Sequence, residues 1–183
     1  MTIFGKLFGG RRNEKPDFSI LLTNEKFKKF INEIEDISLG YSELNFFKFD
    51  NIEKEQIGYS FGENGKSFIG NKNGDWKKSW FVIGTDGLGD PIFIDFDRPN
   101  LPVFTSEHGE GSWEESYIAI SLENFSEIIK DLKKLSIKRE NPVAIGKNPI
   151  SKDEINAFLT KTHIENKYMD VWYWKLFLEN DDE

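Results

Sequence analysis

Residues 80–97 read Trp-Phe-Val-Ile-Gly-Thr-Asp-Gly-Leu-Gly-Asp-Pro-Ile-Phe-Ile-Asp-Phe-Asp, and no other stretch constrains the fold as much. Residues 79–83 and 91–96 are short runs of β-branched and aromatic side chains. Between them, Thr-Asp-Gly-Leu-Gly-Asp supplies glycines for positive φ and aspartates for turns. The expectation is a tight antiparallel hairpin. Asp86, Asp90, Asp95 and Asp97 lie on it or just beyond it. Three uses of such carboxylates compete: a metal loop, a catalytic acid pair and an acidic docking surface.

Local patterns place the other elements around this hairpin. Phe27, Phe30, Ile31 and Ile34 recur at helical spacing, so residues 24–37 are expected to form an amphipathic helix capped by Thr23 or Asn24. Residues 56–61 alternate Ile57, Tyr59 and Phe61, and 66–71 follow a Gly-Glu-Asn-Gly turn, which predicts a second hairpin. Residues 101–105 and 117–120 read as a further strand pair. Ser121 caps a helix whose stripe is Leu122, Phe125, Ile128, Ile129, Leu132 and Leu135. Loops are expected at Asn141-Pro142 and Asn148-Pro149, and Ser151 to Glu154 is a capping box opening a third helix with Ile155, Phe158 and Leu159 inward. The segment 164–178 contains Val-Trp-Tyr-Trp-Lys-Leu-Phe-Leu, too apolar all round for a free surface helix. It must pack on the domain, on the preceding helix or on a second subunit.

The division expected is a mobile arm at 1–17, an α+β domain at 18–140 and a helical extension at 141–183 packed on that domain. In the arm, Ile3, Phe4, Leu7 and Phe8 share a helical face near Lys6, Arg11 and Arg12. Two turns interrupted by Gly5 are too short for stable membrane anchoring. No apolar run suits a membrane span or a signal peptide, so a cytoplasmic protein is expected.

Charge is unevenly spread. The chain carries a net −8, and residues 86–115 hold eight acids against one base, Arg98. Such a field repels phosphate backbones and favours basic partners, which disfavours direct nucleic-acid binding. With no cysteine, thiolate chemistry and sulfur-ligated zinc are excluded. The EF-hand order fails, because the acid after Asp86 is Asp90, with glycine and leucine in the ligand positions between. Gly65-Lys66-Ser67 resembles the end of a phosphate loop, but Ser60 stands where its first glycine belongs, and Gly84, Gly87 and Gly89 run in the reverse of the dinucleotide order. No metal or cofactor is expected. A hydrolytic reading needs His108, which lies near Ser106 in Thr-Ser-Glu-His-Gly-Glu-Gly, without a nucleophile elbow or oxyanion motif. His163 sits near a helix end. Trp76, Trp80 and Trp113 flank the acids; most of them should fill core, but aromatics beside carboxylates also make an interface for Lys and Arg.

Trp80, the 83–90 turn, Ile94-Asp95, Pro102-Val103, His108 and Ile118-Ala-Ile-Ser121 followed by Phe125 together resemble the central signature of the SUKH superfamily. This is the Smi and Knr type of cell-wall regulator and toxin-immunity domain. The resemblance covers residues 75–132. It implies an α+β fold, a central and mostly antiparallel sheet flanked by helices, and no catalytic activity. It also implies that Trp80, Gly84, Gly87, Gly89, Asp90 and Asp95 are fold-signature positions. The family's usual Leu-Pro-x-x-Tyr stretch is absent, and 141–183 extend beyond the typical domain.

The function expected is non-enzymatic binding. The chain would be a bacterial immunity protein that neutralises a basic polymorphic toxin, such as a nuclease, through an acidic face. That face would comprise Asp86, Asp90, Asp97, Glu107, Glu110, Trp113, Glu114 and Glu115. A regulatory scaffold of Smi and Knr type, linked to cell-wall processes, is the alternative. A hydrolase using His108 comes third.

Overall fold

The computed structural model describes residues 17–179 apart from 168 and 170. Its centre is an antiparallel sheet of six strands in sequence order: β1 (Ile37–Leu39), β2 (Ser42–Phe46), β3 (Trp80–Asp86), β4 (Pro91–Asp95), β5 (Val103–Thr105) and β6 (Ser116–Ala119). Helices α1 (Ser19–Leu22) and α2 (Glu25–Glu33) precede it. Helices α3 (Leu122–Ser136), α4 (Pro142–Lys147), α5 (Lys152–Glu165) and α6 (Trp172–Leu178) follow. The fold is α+β, as the sequence predicts. The expected arm at 1–17, with its apolar face at 3–8, lies outside the described residues except for Asp17.

The predicted hairpin is β3–β4. Trp80 pairs with Asp95 and Thr85 with Pro91, with a register shift between Val82 and Gly84. Gly84 is required by a close approach, since a Cβ there would lie 2.4 Å from the Asn45 carbonyl oxygen of β2. Gly89 closes the turn at φ +91, a conformation that glycine adopts without strain.

β3 and β4 are buried on both faces, so their apolar runs are nearly continuous. One face, with Phe81, Ile83, Ile92, Ile94, Val103 and Ile118, meets the helices in the larger core. The other carries Trp80, Val82, Phe93 and Phe104, covered by Trp76 and by Phe47, Tyr59, Ile69 and Trp113. Trp76 sits at the centre of that second cluster, with ring centroids 5.2 Å from Trp80 and 5.2 Å from Trp113. Trp76, upstream of the hairpin, and Trp80, which opens it, are therefore core residues.

Residues 47–79 lie over this second face, and the predicted hairpin is reduced to one antiparallel bridge, Phe61 with Ser67, about the 62–65 turn. Instead of strands at 56–61 and 66–71 there is a 3₁₀ turn at Lys54–Gln56 and three isolated bridges. Gly58, at φ +96, interrupts the first run. The alternation of Ile57, Tyr59 and Phe61 is divided between the two cores, with Ile57 and Phe61 against the larger one and Tyr59 against the second. Gln56, fully buried, fixes this segment: its amide nitrogen donates to the carbonyls of Ile52 (2.9 Å) and Val82 (2.8 Å), and its oxygen accepts from the Val82 N–H at 2.9 Å. A side-chain amide thus satisfies the β3 backbone where β2 has ended.

Helix caps follow the sequence closely. Asn24, Ser121 and Ser151 accept N-terminal amides, and Ser151 with Glu154 forms the full capping box. Two boundaries differ. The first amphipathic helix stops at Glu33, and Ile37 opens β1. Asn141-Pro142, expected as a loop, caps and starts the short helix α4, because proline at the first helical position sacrifices no hydrogen bond.

Both sheet edges are covered. At β1, the Gly40 N–H donates to the Arg139 carbonyl at 2.7 Å and the Ser38 hydroxyl to the Glu140 carbonyl at 2.7 Å. At β6, the Trp174 indole N–H donates to the Ile118 carbonyl (2.8 Å), and the Ile120 N–H donates to Asn166 Oδ1 at 3.0 Å. The aromatic C-terminal segment therefore packs on the domain: Trp174 is fully buried, with Phe125 and Phe158 beside it.

Candidate acidic cleft

In an up-and-down sheet, successive connections alternate between its two ends. The β1–β2, β3–β4 and β5–β6 connections therefore gather at one end. There they enclose, with α6, a cleft of about 700 Å³. The β1–β2 turn and the start of β2 contribute Tyr41, Ser42 and Glu43, and the end of β3 with the hairpin turn contributes Asp86, Leu88 and Asp90. The β5–β6 loop adds Glu107, Glu110 and Glu114, and α6 adds Trp172, Tyr173, Leu176 and Phe177. Six carboxylates line the cleft and no lysine or arginine does. None of the six is paired with a lysine or arginine among the described residues.

The hairpin turn is braced from within. Asp86 Oδ1 accepts the N–H groups of Leu88 (2.9 Å) and Asp90 (3.0 Å). Burial pushes the Asp86 carboxyl above its ordinary range against the pull of those amides, and the Asp90 charge adds to the rise. Asp90 Oδ1 accepts the His108 backbone N–H at 2.8 Å and lies 2.6 Å from His108 Nδ1, tying the β5–β6 loop to the turn. With a carboxylate as its neighbour, Nδ1 carries the proton. Ser106, the nucleophile of the hydrolytic reading, is buried and accepts the Glu114 N–H at 3.0 Å. No hydrogen bond joins it to His108 among the described residues.

Tyr173 stands in the α6 wall, 7% exposed, and its hydroxyl has no hydrogen-bond partner. Burial raises its ionisation well above the ordinary tyrosine value, and the charges of Asp86 and Asp90 raise it further. Leu88 (80% exposed), Tyr41 (65%) and Leu176 (56%) give the cleft apolar surface beside the acids.

The other predicted binding residues lie elsewhere. Glu115 turns to the flank of the second core, 2.6 Å from Lys77 Nζ and in contact with Arg98, which outweigh burial and hold its carboxyl below the ordinary range. Arg98 also meets buried Asp95 at 2.9 Å and the Tyr117 hydroxyl at 2.7 Å, and its guanidinium lies over Phe104. Asp97 is exposed on the β4–β5 turn, a connection to the opposite end of the sheet. Trp113 packs on Trp76 and Tyr59.

Among the signature positions, Trp80, Gly84, Gly89 and Asp95 have structural work. Asp90 braces the cleft. At Gly87 a Cβ would make only ordinary contacts, with Glu43 at 3.5 Å. Sequence reasoning did not include Glu43, Tyr41, Tyr173 or Leu176 in the site. Only the apolar excess at 171–178 hinted that this segment had further use.

Among the described residues no group of three or more His, Asp or Glu side chains could hold a metal ion, and no helix is long and apolar enough to cross a membrane. No family model, no curated protein and no solved structure matches the chain.

Proposed function

We propose that the chain is a non-enzymatic binding protein whose acidic cleft receives a cationic segment of a partner protein. Its closest functional type is the toxin-neutralising immunity protein that the SUKH resemblance implies. The observation that carries this reading is the six carboxylates lining one cleft without a lysine or arginine among them. Uncompensated acids repel one another, so a fold that gathers them favours a positively charged occupant. The exposed apolar side chains beside them suit a protein partner more than a dissolved ion.

Such a complex forms quickly and weakens as salt rises, because rim charges act mainly on the encounter rate. Co-expression with a basic toxin domain encoded beside the gene tests the reading. Rescue of growth is expected for the native chain and for Asp97→Lys, and its loss for Glu107→Lys combined with Glu110→Lys. Rescue that survives the double reversal would move the docking surface away from the cleft.

A further inference from the structure

We infer that the part of the cleft formed by Tyr173 and Asp86 anchors one arginine side chain of the partner, with the guanidinium donating to the Tyr173 hydroxyl oxygen and to the Asp86 carboxylate. This rests on the reading that the cleft takes a cationic protein segment, and it names the side chain that enters.

Two side-chain atoms among the described residues are buried without a hydrogen-bond partner: Trp80 Nε1 and the Tyr173 hydroxyl. The first lies in the second core, on the far face of the sheet. The second belongs to a side chain that lines the acidic cleft. Buried polar atoms are nearly always paired, and an orphan destabilises the fold that holds it. A hydroxyl kept in that condition beside a cleft points to a pairing made only in a complex.

Asp86 is placed to share the same occupant. Its Oδ1 accepts two backbone amides, and no lysine or arginine among the described residues pairs with its carboxylate. Asp86, Asp90 and Tyr173 line the same cleft. A ligand group that donates several hydrogen bonds at once, carries positive charge and tolerates partial dehydration fits both acceptors. A guanidinium has five N–H donors in a plane and is more weakly hydrated than an ammonium. It also stacks on aromatic faces, and Tyr41, Trp172 and Phe177 line the same cleft. A lysine ammonium has charge but neither the fork nor the plane.

Two heptapeptides test the assignment, Lys-Lys-Gly-Arg-Gly-Lys-Lys and its twin with lysine at the centre, titrated into the full chain by calorimetry and by amide NMR. Both should shift the amides of Leu88, Glu107 and Leu176. The arginine peptide should bind about tenfold tighter, the effect of one added charge-assisted hydrogen bond. Tyr173→Phe should erase that preference while its melting temperature stays level or rises, because it removes an orphaned hydroxyl. Asp86→Asn should reduce the preference as well. Equal binding of the two peptides in the cleft would overturn the arginine anchor and leave the acidic-cleft reading standing. Peptides that shift no cleft amide would overturn both. A Tyr173→Phe protein that melts lower would show that the hydroxyl has a structural partner, and would overturn the anchor.

Discussion

On the flank of the sheet, Asp95 and Glu115 each meet a cation, while around the cleft six carboxylates meet no lysine or arginine among the described residues. Apart from Glu43, both places draw their acids from residues 86–115. They differ in what the fold brings opposite. At the flank, Lys77 and Arg98 span Glu115 and also lie over aromatic rings, Lys77 on Trp80 at 4.7 Å and Arg98 on Phe104 at 4.9 Å. Charge there is consumed in holding the second core closed. In the cleft, the turns are held by backbone amides and by His108, which leaves carboxylate charge facing outward. A local excess of acid therefore stays uncompensated only where the tertiary structure withholds a lysine or arginine.

The contrast breaks most sharply at Arg98. Arg98→Ala leaves Asp95 buried without its guanidinium and should destabilise the fold by about 3 kcal/mol, read from the midpoint of urea unfolding. A loss below about 0.5 kcal/mol would make the flank an ordinary surface ion pair.

Glu115→Gln should remove about 1 kcal/mol at neutral pH, a modest figure because the pair keeps some solvent contact. Its folded carboxyl lies below the ordinary range, so its contribution is full above the unfolded value and disappears as pH falls through the folded one. Unfolding curves of wild type and Glu115→Gln should therefore converge in acid.

Asp86 should show the opposite sign. Its folded carboxyl is raised, so the ionised form works against the fold, and stability rises as pH falls through the folded value. Asp86→Asn keeps an oxygen for the Leu88 and Asp90 amides and should stabilise the chain at neutral pH by about 0.5 kcal/mol, discounted for remaining hydration. That advantage should vanish as the medium is acidified. An Asp86→Asn protein less stable than wild type at neutral pH would place Asp86 with the flank residues.

The smallest expected effect on stability is at the rim. Glu107→Lys and Glu110→Lys alter exposed side chains and should stay within about 0.5 kcal/mol of wild type. The same changes should slow association with a basic partner at low salt, and stopped-flow rates that do not respond would deny the rim its role.

How much of this was legible depends on how local each feature is. The β3–β4 hairpin was readable because both runs and their turn are contiguous. The caps at Asn24, Ser121 and Ser151 act within three residues. β1 and β2 were missed, being three and five residues long and stabilised by neighbours such as Leu44 beside Asp86. The alternation at 56–61 was genuine, but Gly58 interrupts the run and the pairing with 66–71 is limited to one antiparallel bridge, Phe61 with Ser67. The acidic surface was half legible. Glu107, Glu110 and Glu114 could be assigned from charge density, whereas the neutralisation of Glu115 depends on Lys77, 38 positions away.

The sequence by itself determined the turn at 84–90, the helix caps and the excess of carboxylates after it, because these are written in residues that are neighbours along the chain. Only the tertiary structure decided which carboxylates meet no lysine or arginine, and which hydroxyl has no hydrogen-bond partner, among the described residues. The alternating ends of an antiparallel sheet bring three separate turns and α6 together, and no pattern within any one of them specifies the others.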